Sequence, residues 1–285
     1  MRVKLAKEMG FCFGVRRGVS LVERVANEQG PVQTLGSLVH NRQVVDRLGK
    51  LGVTVVKSLD DVQGDKVAIA THGVPQNVVE EAKRRELDIT DATCPYVQAI
   101  QDKARKMHEA GFQVIVFGDR GHTEVIGIVG WTEGKAVVVS RPEDLDSIEL
   151  SRKVGIVAQT TQNVKDYEAV INKLTSKCLA NCLELRVHNT ICNATAERQA
   201  AALELAESVD VVVVVGGKDS ANTRRLVELC LTKGVPTYHV EDASQISESW
   251  FAGCGIVGVT AGASTPDWVI DEVVARIESL EASES

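Results

Sequence analysis

The 285-residue sequence lacks any apolar run long enough to span a membrane or to form a signal peptide. Its strongest apolar run, Val211 to Val215, is far shorter than the roughly 20 residues that a membrane helix needs. Basic residues are scattered and the formal net charge is −7, so no charged patch indicates binding to nucleic acid or anionic lipid. We therefore expect a cytoplasmic protein that binds neither nucleic acid nor membranes.

Two further features are missing. No G-x-G-x-x-G turn joins a predicted strand to a helix, which argues against a nicotinamide or flavin dinucleotide site. Electrons for any redox reaction must then come from a partner protein. No linker rich in Pro, Gly or Ser divides the chain, so we expect its compact units to pack tightly.

Seven cysteines are present, an odd number for a disulfide framework, and in a reducing compartment thiols bind metals, catalyse or pack. Cys12, Cys94 and Cys192 each stand directly before a predicted helix, over residues 14–28, 95–110 and 194–208 respectively. Pro95 marks Cys94 as the helix cap, where the helix dipole favours the thiolate that a metal requires.

Three thiolates from distant segments suit a cubane iron–sulfur cluster in which one iron has no protein ligand. By ligand type alone, a zinc ion is an alternative to the cluster. Structural zinc sites, however, usually contain close pairs of ligands, and these three cysteines form no such pair. Buried packing is the alternative for all three, and it is our interpretation of Cys230 and Cys254. Cys178 and Cys182 are four residues apart in a helical segment and could bridge or bind a metal, although no second pair of cysteines accompanies them.

Short β-branched runs without polar alternation predict strands that are covered on both faces, as in parallel sheets. Amphipathic segments separate these runs, so the fold class is α/β. We interpret the chain as three similar α/β units, over 13–96, 97–191 and 192–285, with residues 1–12 packing on the third. Residues 281–285 are predicted to be a solvated end. The predicted strands are 67–71, 114–117, 136–139, 154–157, 211–215 and 256–259.

Several of these strands end in a small polar loop, and ligands bind at the carboxyl ends of strands in open parallel sheets. Histidines in or between such loops are interpreted as an anion-binding cluster, and Glu124 is the best-placed carboxylate to deliver a proton. Hydroxyl and amide side chains at helix starts could meet phosphate oxygens, although simple capping explains each one equally well. The histidines are His40, His72 and His122, and the helix-start residues are Ser220, Asn222 and Ser264.

Nine strings between residues 10 and 268 resemble, in the same order, those of the 4-hydroxy-3-methylbut-2-enyl diphosphate reductase family, the last enzyme of the non-mevalonate isoprenoid pathway. One such string would be weak evidence, but nine in order are highly specific. They are GFCFGV, LGSLVHN, THGV, DATCP, GHTEV, AQTTQ, NTICNAT, GGKDSANT and TAGASTPDW.

The resemblance implies three α/β units arranged as a cloverleaf around a central 4Fe-4S cluster on Cys12, Cys94 and Cys192, which can be isolated as a 3Fe-4S form. The family reductively removes the allylic hydroxyl of its substrate to give isopentenyl and dimethylallyl diphosphate, with ferredoxin or flavodoxin as electron donor. Glu124 matches the proton donor, and Thr160 and His122 complete the catalytic set. The implied substrate ligands are His40, His72, His122, Thr160, Ser220, Ala221, Asn222 and Ser264.

One position departs from many family members, because Ala221 stands where a second serine is often found. Binding should survive through the backbone N–H, with one side-chain contact fewer. We expect no additional domain at either end, as in the stand-alone form of the family.

Two other functions use the same cysteines. A zinc-dependent hydrolase would have Glu124 polarise a water molecule. An iron–sulfur sensor would need neither Glu124 nor Thr160.

Overall fold

The computed structural model describes residues 1–282, so most of the predicted solvated end lies outside the described residues. Among the described residues, no helix combines the length and the apolar character that a membrane span requires. The helices are α1 (Phe13–Gln29), α2 (Arg42–Gly49), α3 (Gln76–Arg84), α4 (Pro95–Glu109), α5 (Thr123–Gly130), α6 (Val164–Asn181), α7 (Asn193–Ala206), α8 (Ala221–Leu231) and α9 (Asp267–Ala282). The strands are β1 (Arg2–Leu5), β2 (Val32–Leu35), β3 (Val53–Val56), β4 (Lys66–Ile69), β5 (Asp88–Asp91), β6 (Gln113–Phe117), β7 (Val137–Val139), β8 (Lys153–Ala158), β9 (Glu184–Val187), β10 (Val211–Val215), β11 (Thr237–Val240) and β12 (Ile256–Ala261).

The strands form three four-stranded parallel sheets, ordered β3-β2-β4-β5, β7-β6-β8-β9 and β11-β10-β12-β1. In the first two sheets the first strand along the chain, β2 or β6, lies inside and the second, β3 or β7, lies at an edge. In the third sheet β10 and β11 take these two positions. The other edge of the third sheet is formed by β1, whose Arg2 pairs with Ile256 of β12. The order reverses between the two central strands, which is where open α/β sheets bind ligands at their carboxyl ends.

The apolar runs of the sequence predicted β4, β6, β7, β8, β10 and β12 but missed β1, β2, β3, β5, β9 and β11, of which β2 is largely buried. All five valines of β10 are completely buried, and β8 is buried along all but its first residue. The edge strands β5 and β9 read Asp-Ile-Thr-Asp and Glu-Leu-Arg-Val and contain no fully buried residue, so their polar character hid them from the search for apolar runs. Edge strands tolerate such residues because one side has no partner strand.

The chain divides into two compact units. The first comprises residues 1–16, 39–47 and 193–285 and contains the β11-β10-β12-β1 sheet, whose apolar side chains pack against α9. The second comprises residues 17–38 and 48–192 and contains the other two sheets.

The prediction of an α/β fold with three similar units and parallel sheets is confirmed. The three predicted domain ranges stay a prediction. The string from Gly253 to Gly258 has the spacing G-x-G-x-x-G, but it leads into strand β12 instead of opening a helix. It is therefore not a dinucleotide-binding turn.

Candidate active site

Each of the three predicted cysteine ligands directly precedes a helix. Cys12 comes before α1, Cys94 before α4 and Cys192 before α7. In every case the cysteine follows the fourth strand of its sheet, which is β1, β5 or β9. The three α/β units thus repeat the same strand–cysteine–helix arrangement.

The backbone of each cysteine is held in the same way. The Cys94 N–H donates to the Thr71 carbonyl at 3.0 Å, and the Cys192 N–H donates to the Thr160 carbonyl at 3.1 Å. The Cys12 N–H donates to the Ala263 carbonyl, also at 3.0 Å. All three acceptors lie two residues beyond the end of the third strand of their sheet. One repeated hydrogen bond therefore fixes each cysteine beside the loop that follows a central strand.

The chemistry of these thiols fits an iron–sulfur cluster. All three side chains are half-buried, none is in a disulfide, and each lies directly before a helix. Cysteine sulfur is the protein ligand of iron–sulfur clusters. Burial, by contrast, raises the pKa of Cys230 to about 11, and Cys230 packs in an apolar core. The packing interpretation of Cys230 is consistent with this environment.

Cys178 and Cys182 lie near the end of α6, in a different environment. Burial first, and then the neighbouring Cys182 thiol, raise the pKa of Cys178 to about 12. Both side chains contact the apolar core of their unit. A thiol that holds its proton this strongly is a poor metal ligand.

Glu124 is 1 % exposed, and both of its carboxylate oxygens are engaged by Thr160. The Thr160 N–H donates to Oε1 and the Thr160 hydroxyl donates to Oε2, each at 2.7 Å. Burial raises the pKa of Glu124 to about 7, although the two Thr160 hydrogen bonds oppose this effect. The site thus contains a carboxyl group that can hold and release a proton near neutral pH.

His122 caps helix α5, because its Nδ1 accepts a hydrogen bond of 3.1 Å from the Glu124 backbone N–H. Its ring lies edge-on to that of His72, with 5.6 Å between the ring centroids. His72, His122, Glu124 and Thr160 are therefore placed in one region of the second compact unit.

A second group of predicted ligands lies in the first compact unit. Ser220 caps helix α8 and accepts a hydrogen bond from the Thr223 N–H at 3.3 Å. The Ser264 hydroxyl donates to the His40 carbonyl at 3.2 Å. Burial lowers the pKa of His40, an effect that Asp219 opposes and Arg224 reinforces.

Asn222 is the most informative residue of this second group. It is 3 % exposed, yet neither its amide nitrogen nor its carbonyl oxygen has a hydrogen-bond partner among the residues that the structure describes. An unpaired buried amide costs on the order of 1–3 kcal/mol, so such groups usually have a ligand or water to bind. Ala221, one residue earlier, is the first residue of α8 and offers its backbone N–H.

Close packing shapes the backbone near these residues. A Cβ on Gly217 would lie 2.3 Å from the His40 carbonyl oxygen, so only glycine allows this approach. Gly217 begins the turn that leads to Ser220, whose N–H donates to the Gly217 carbonyl at 3.1 Å. The glycines of the GGKDSANT string therefore bring the loop of His40 close to the start of α8.

The predicted side chains recur at equivalent places in the three sheets. His40, His122 and Ser220 are each the fifth residue after an inner strand, namely β2, β6 or β10. The other inner strands are β4, β8 and β12. His72 and Ser264 are each the third residue after β4 or β12, and Thr160 is the second residue after β8. All of them thus follow the central strands, where the strand order reverses.

Sequence reasoning missed several residues that support these groups. The buried Arg198 donates from Nε and Nη2 to the Gly10 carbonyl, at 3.2 and 2.9 Å, and so holds the segment before Cys12. Gln159 and Gln162 are buried and bind Asp119. The AQTTQ string contained both glutamines, but nothing in the sequence connected them with Asp119.

Two solved structures are similar to the chain. The E-1-hydroxy-2-methyl-but-2-enyl-4-diphosphate reductase from Plasmodium falciparum superposes with a TM-score of 0.90 at 26 % identity, covering 96 % of this chain and 87 % of that one. A solved (E)-4-hydroxy-3-methyl-but-2-enyl diphosphate reductase, described as the terminal enzyme of the non-mevalonate pathway, gives a TM-score of 0.70 at 40 % identity and covers 98 % and 100 % of the two chains. The fold is thus that of α/β reductases of this kind.

Family and sequence comparisons agree with the fold. The family model of the LytB protein matches residues 3–278. The 4-hydroxy-3-methylbut-2-enyl diphosphate reductase of Dehalococcoides mccartyi strain CBDB1 is 44 % identical over 99 % of both chains, and that of Geobacter metallireducens is 43 % identical over 100 % of both. The chain belongs to the LytB protein family, and the family resemblance predicted from its sequence is confirmed.

Proposed function

We propose that the protein reduces (E)-4-hydroxy-3-methylbut-2-enyl diphosphate to isopentenyl and dimethylallyl diphosphate. The LytB family match and the names of the full-length relatives support this reaction. The observation that carries it in this chain is the buried Glu124 carboxyl, bound by Thr160 through two hydrogen bonds of 2.7 Å. Loss of an allylic hydroxyl as water requires a proton, and Glu124 is suited to supply it.

Cys12, Cys94 and Cys192 would hold a 4Fe-4S cluster. Their support is the repeated position before a helix and the repeated backbone hydrogen bond. When bound, such a cluster would supply electrons one at a time and a Lewis-acidic iron atom without a protein ligand. Three protein thiolates leave that fourth iron open, and loss of this iron would give the 3Fe-4S form.

Glu124 would deliver its proton to the leaving hydroxyl. Because burial raises the pKa of Glu124 to about 7, a large fraction of the carboxyl is protonated at neutral pH. After the transfer, the Thr160 N–H and hydroxyl stabilise the carboxylate, since both donors already face its two oxygens. Thr160 thus orients the acid and stabilises its ionised form.

The diphosphate would be bound by side chains from the loops after the central strands. Asn222 supports this role best, because its buried amide has no partner within the described protein and can both donate to and accept from a ligand. The cap residue Ser220 and the backbone N–H of Ala221 lie at the start of α8, where the helix dipole favours an anion. The complete proposed set is His40, His72, His122, Thr160, Ser220, Ala221, Asn222 and Ser264.

Electrons would come from a small one-electron carrier, a ferredoxin or a flavodoxin, in the cytoplasm. The family's implied chemistry supports such a donor, and the one G-x-G-x-x-G string of the chain leads into a strand and cannot serve as a dinucleotide site.

The test is anaerobic turnover of the hydroxymethylbutenyl diphosphate with a one-electron reductant, with iron and sulfide assayed on the same sample. We expect both isomeric products to form in proportion to cluster content. Cluster-replete protein that forms neither product would overturn the proposed reaction and would favour the iron–sulfur sensor.

A further inference from the structure

His72 lies in a loop that is anchored on both sides. Before it, the Thr71 N–H and the Thr71 hydroxyl both donate to the Leu38 carbonyl, at 3.2 and 2.8 Å. After it, the Val74 carbonyl accepts a hydrogen bond of 3.0 Å from the indole Nε1 of Trp131. The position of the His72 side chain therefore depends on these two anchors.

The second anchor belongs to the helix that carries His122. His122 caps the start of α5, and Trp131 follows the last residue of α5, where its backbone N–H donates to the Gly127 carbonyl at 3.2 Å. Helices hold side chains more precisely than loops do. The hydrogen bond from Trp131 thus joins the loop of His72 to the same rigid element as His122, whose ring lies edge-on to that of His72.

Two glycines of α5 let this loop approach the helix closely. Gly127 and Gly130 are three residues apart and so lie on the same face of α5. A Cβ on Gly130 would lie 2.4 Å from the Pro75 Cβ, and a Cβ on Gly127 would lie 3.6 Å from the His72 carbonyl oxygen. The segment from His72 to Pro75 therefore packs directly on the backbone of α5, beside the hydrogen bond from Trp131.

The loop is also enclosed on the side of helix α4. Gly73 has a φ of +70°, and a Cβ on it would lie 2.4 Å from Nε2 of Gln101, a residue of α4 that is 5 % exposed. Because α4 and α5 both pack against the loop, we expect it to stay folded when the hydrogen bond from Trp131 is removed. Loss of this hydrogen bond should then displace His72 without unfolding the segment.

We propose that Trp131 is a positioning residue for the diphosphate: its hydrogen bond to Val74 holds His72 beside His122, so that both imidazoles bind the anion together. Hydrogen bonds weaken steeply when the distance or the angle departs from its optimum, so a small displacement of His72 weakens binding. Trp131 acts through His72 and not through a contact of its own. The inference rests on the proposed function, in which His72 and His122 are diphosphate ligands.

The test variant is Trp131→Phe, which keeps an aromatic ring but removes the N–H donor. Trp250→Phe is the matched control, because it makes the same change in the other compact unit, where Trp250 stacks on Tyr238 with 4.1 Å between the ring centroids. His72→Ala and the double variant with Trp131→Phe complete a double-mutant cycle. Inorganic pyrophosphate is the probe, titrated anaerobically into cluster-loaded protein in a calorimeter.

Trp131→Phe should raise the Kd for pyrophosphate by about threefold to tenfold, as expected when one hydrogen bond is weakened. Trp250→Phe should bind like the parent protein. In the His72→Ala background, Trp131→Phe should change the Kd by no more than about twofold, because the residue through which Trp131 acts is gone. A general structural role of Trp131 would weaken binding equally in both backgrounds, and that result would overturn the inference.

The cycle needs no turnover, so it separates the inference from the proposed reaction. A parent-like Kd for Trp131→Phe, while His72→Ala binds more weakly, would overturn the inference and leave His72 as a ligand. Coupled substitutions in a protein that reduces no diphosphate would keep the inference and reject only the reaction. If Trp131→Phe does not fold, Gly130→Ala replaces it in the cycle, because its Cβ would displace Pro75 and the same loop.

Discussion

Thr160 donates to both carboxylate oxygens of Glu124, from its backbone N–H and from its hydroxyl, at 2.7 Å each. The Thr160 carbonyl in turn accepts the Cys192 N–H at 3.1 Å. The proposed proton donor is thus connected through one residue to the backbone of a proposed cluster ligand. This connection orients the acid through the uncharged Thr160.

Glu124→Gln should retain the cluster and bind the diphosphate but lose most turnover, by on the order of 10²–10⁴-fold, because the amide cannot deliver a proton. Anaerobic kinetics with iron assayed on the same sample would measure this effect. Glu133→Gln is the control, since it makes the same chemical change on an exposed side chain. Near-normal turnover of Glu124→Gln would rule out the assigned role.

Turnover should decline as the pH rises through about 7. Burial raises the pKa of Glu124 to about 7, so the donor is protonated below this pH and ionised above it. Where the proton transfer limits the rate, kcat should then fall about tenfold per pH unit on the alkaline side. A profile of kcat against pH checks the sign, and a rate that keeps rising above neutral pH would contradict it.

Cys94→Ser should prevent assembly of the cluster, because a serine hydroxyl is a poor ligand for iron in place of a thiolate. Iron and sulfide contents of the purified variant would measure the loss. Cys254→Ser is the matched control and should keep both contents, since Cys254 lies beside the apolar core away from any proposed ligand role. Full iron and sulfide in Cys94→Ser would exclude Cys94 as a ligand.

Asn222→Leu should separate stability from binding. The substitution removes two buried polar atoms that have no partner among the described residues, so thermal stability should stay equal or rise. Loss of the amide should at the same time raise KM for the diphosphate by about tenfold or more, the equivalent of roughly 1.4 kcal/mol. Leu226→Ala, in the same helix, is the converse control, because it opens the apolar core and should lower stability. A large loss of stability in Asn222→Leu with unchanged KM would show that Asn222 is structural.

Much of the site could be predicted because its signals are local. Cys12, Cys94 and Cys192 each precede a helix, and His122 and Ser220 each follow a predicted strand, so a strand–loop–helix interpretation found these five. His40 follows β2, which the apolar runs did not predict, and it was placed only in a loop between predicted elements. Pro95 alone was enough to predict the start of α4. The family resemblance added the roles of these residues, and the comparisons confirmed the family. The polar edge strands β5 and β9 were missed, because short runs with charged residues do not look like strands until a neighbouring strand pairs with them.

The sequence by itself determined the fold class, the family and the positions of the candidate ligands, since apolar runs, helix starts and motif order are properties of neighbouring residues. Only the tertiary structure decided the environment of each group. It buries Glu124 against Thr160, leaves the Asn222 amide without a partner and brings Gln159 and Gln162 to Asp119. These effects depend on burial and on hydrogen bonds between residues some 40 positions apart, for example the 43 between Asp119 and Gln162, and such distances are set by the packing of the sheets and not by local sequence.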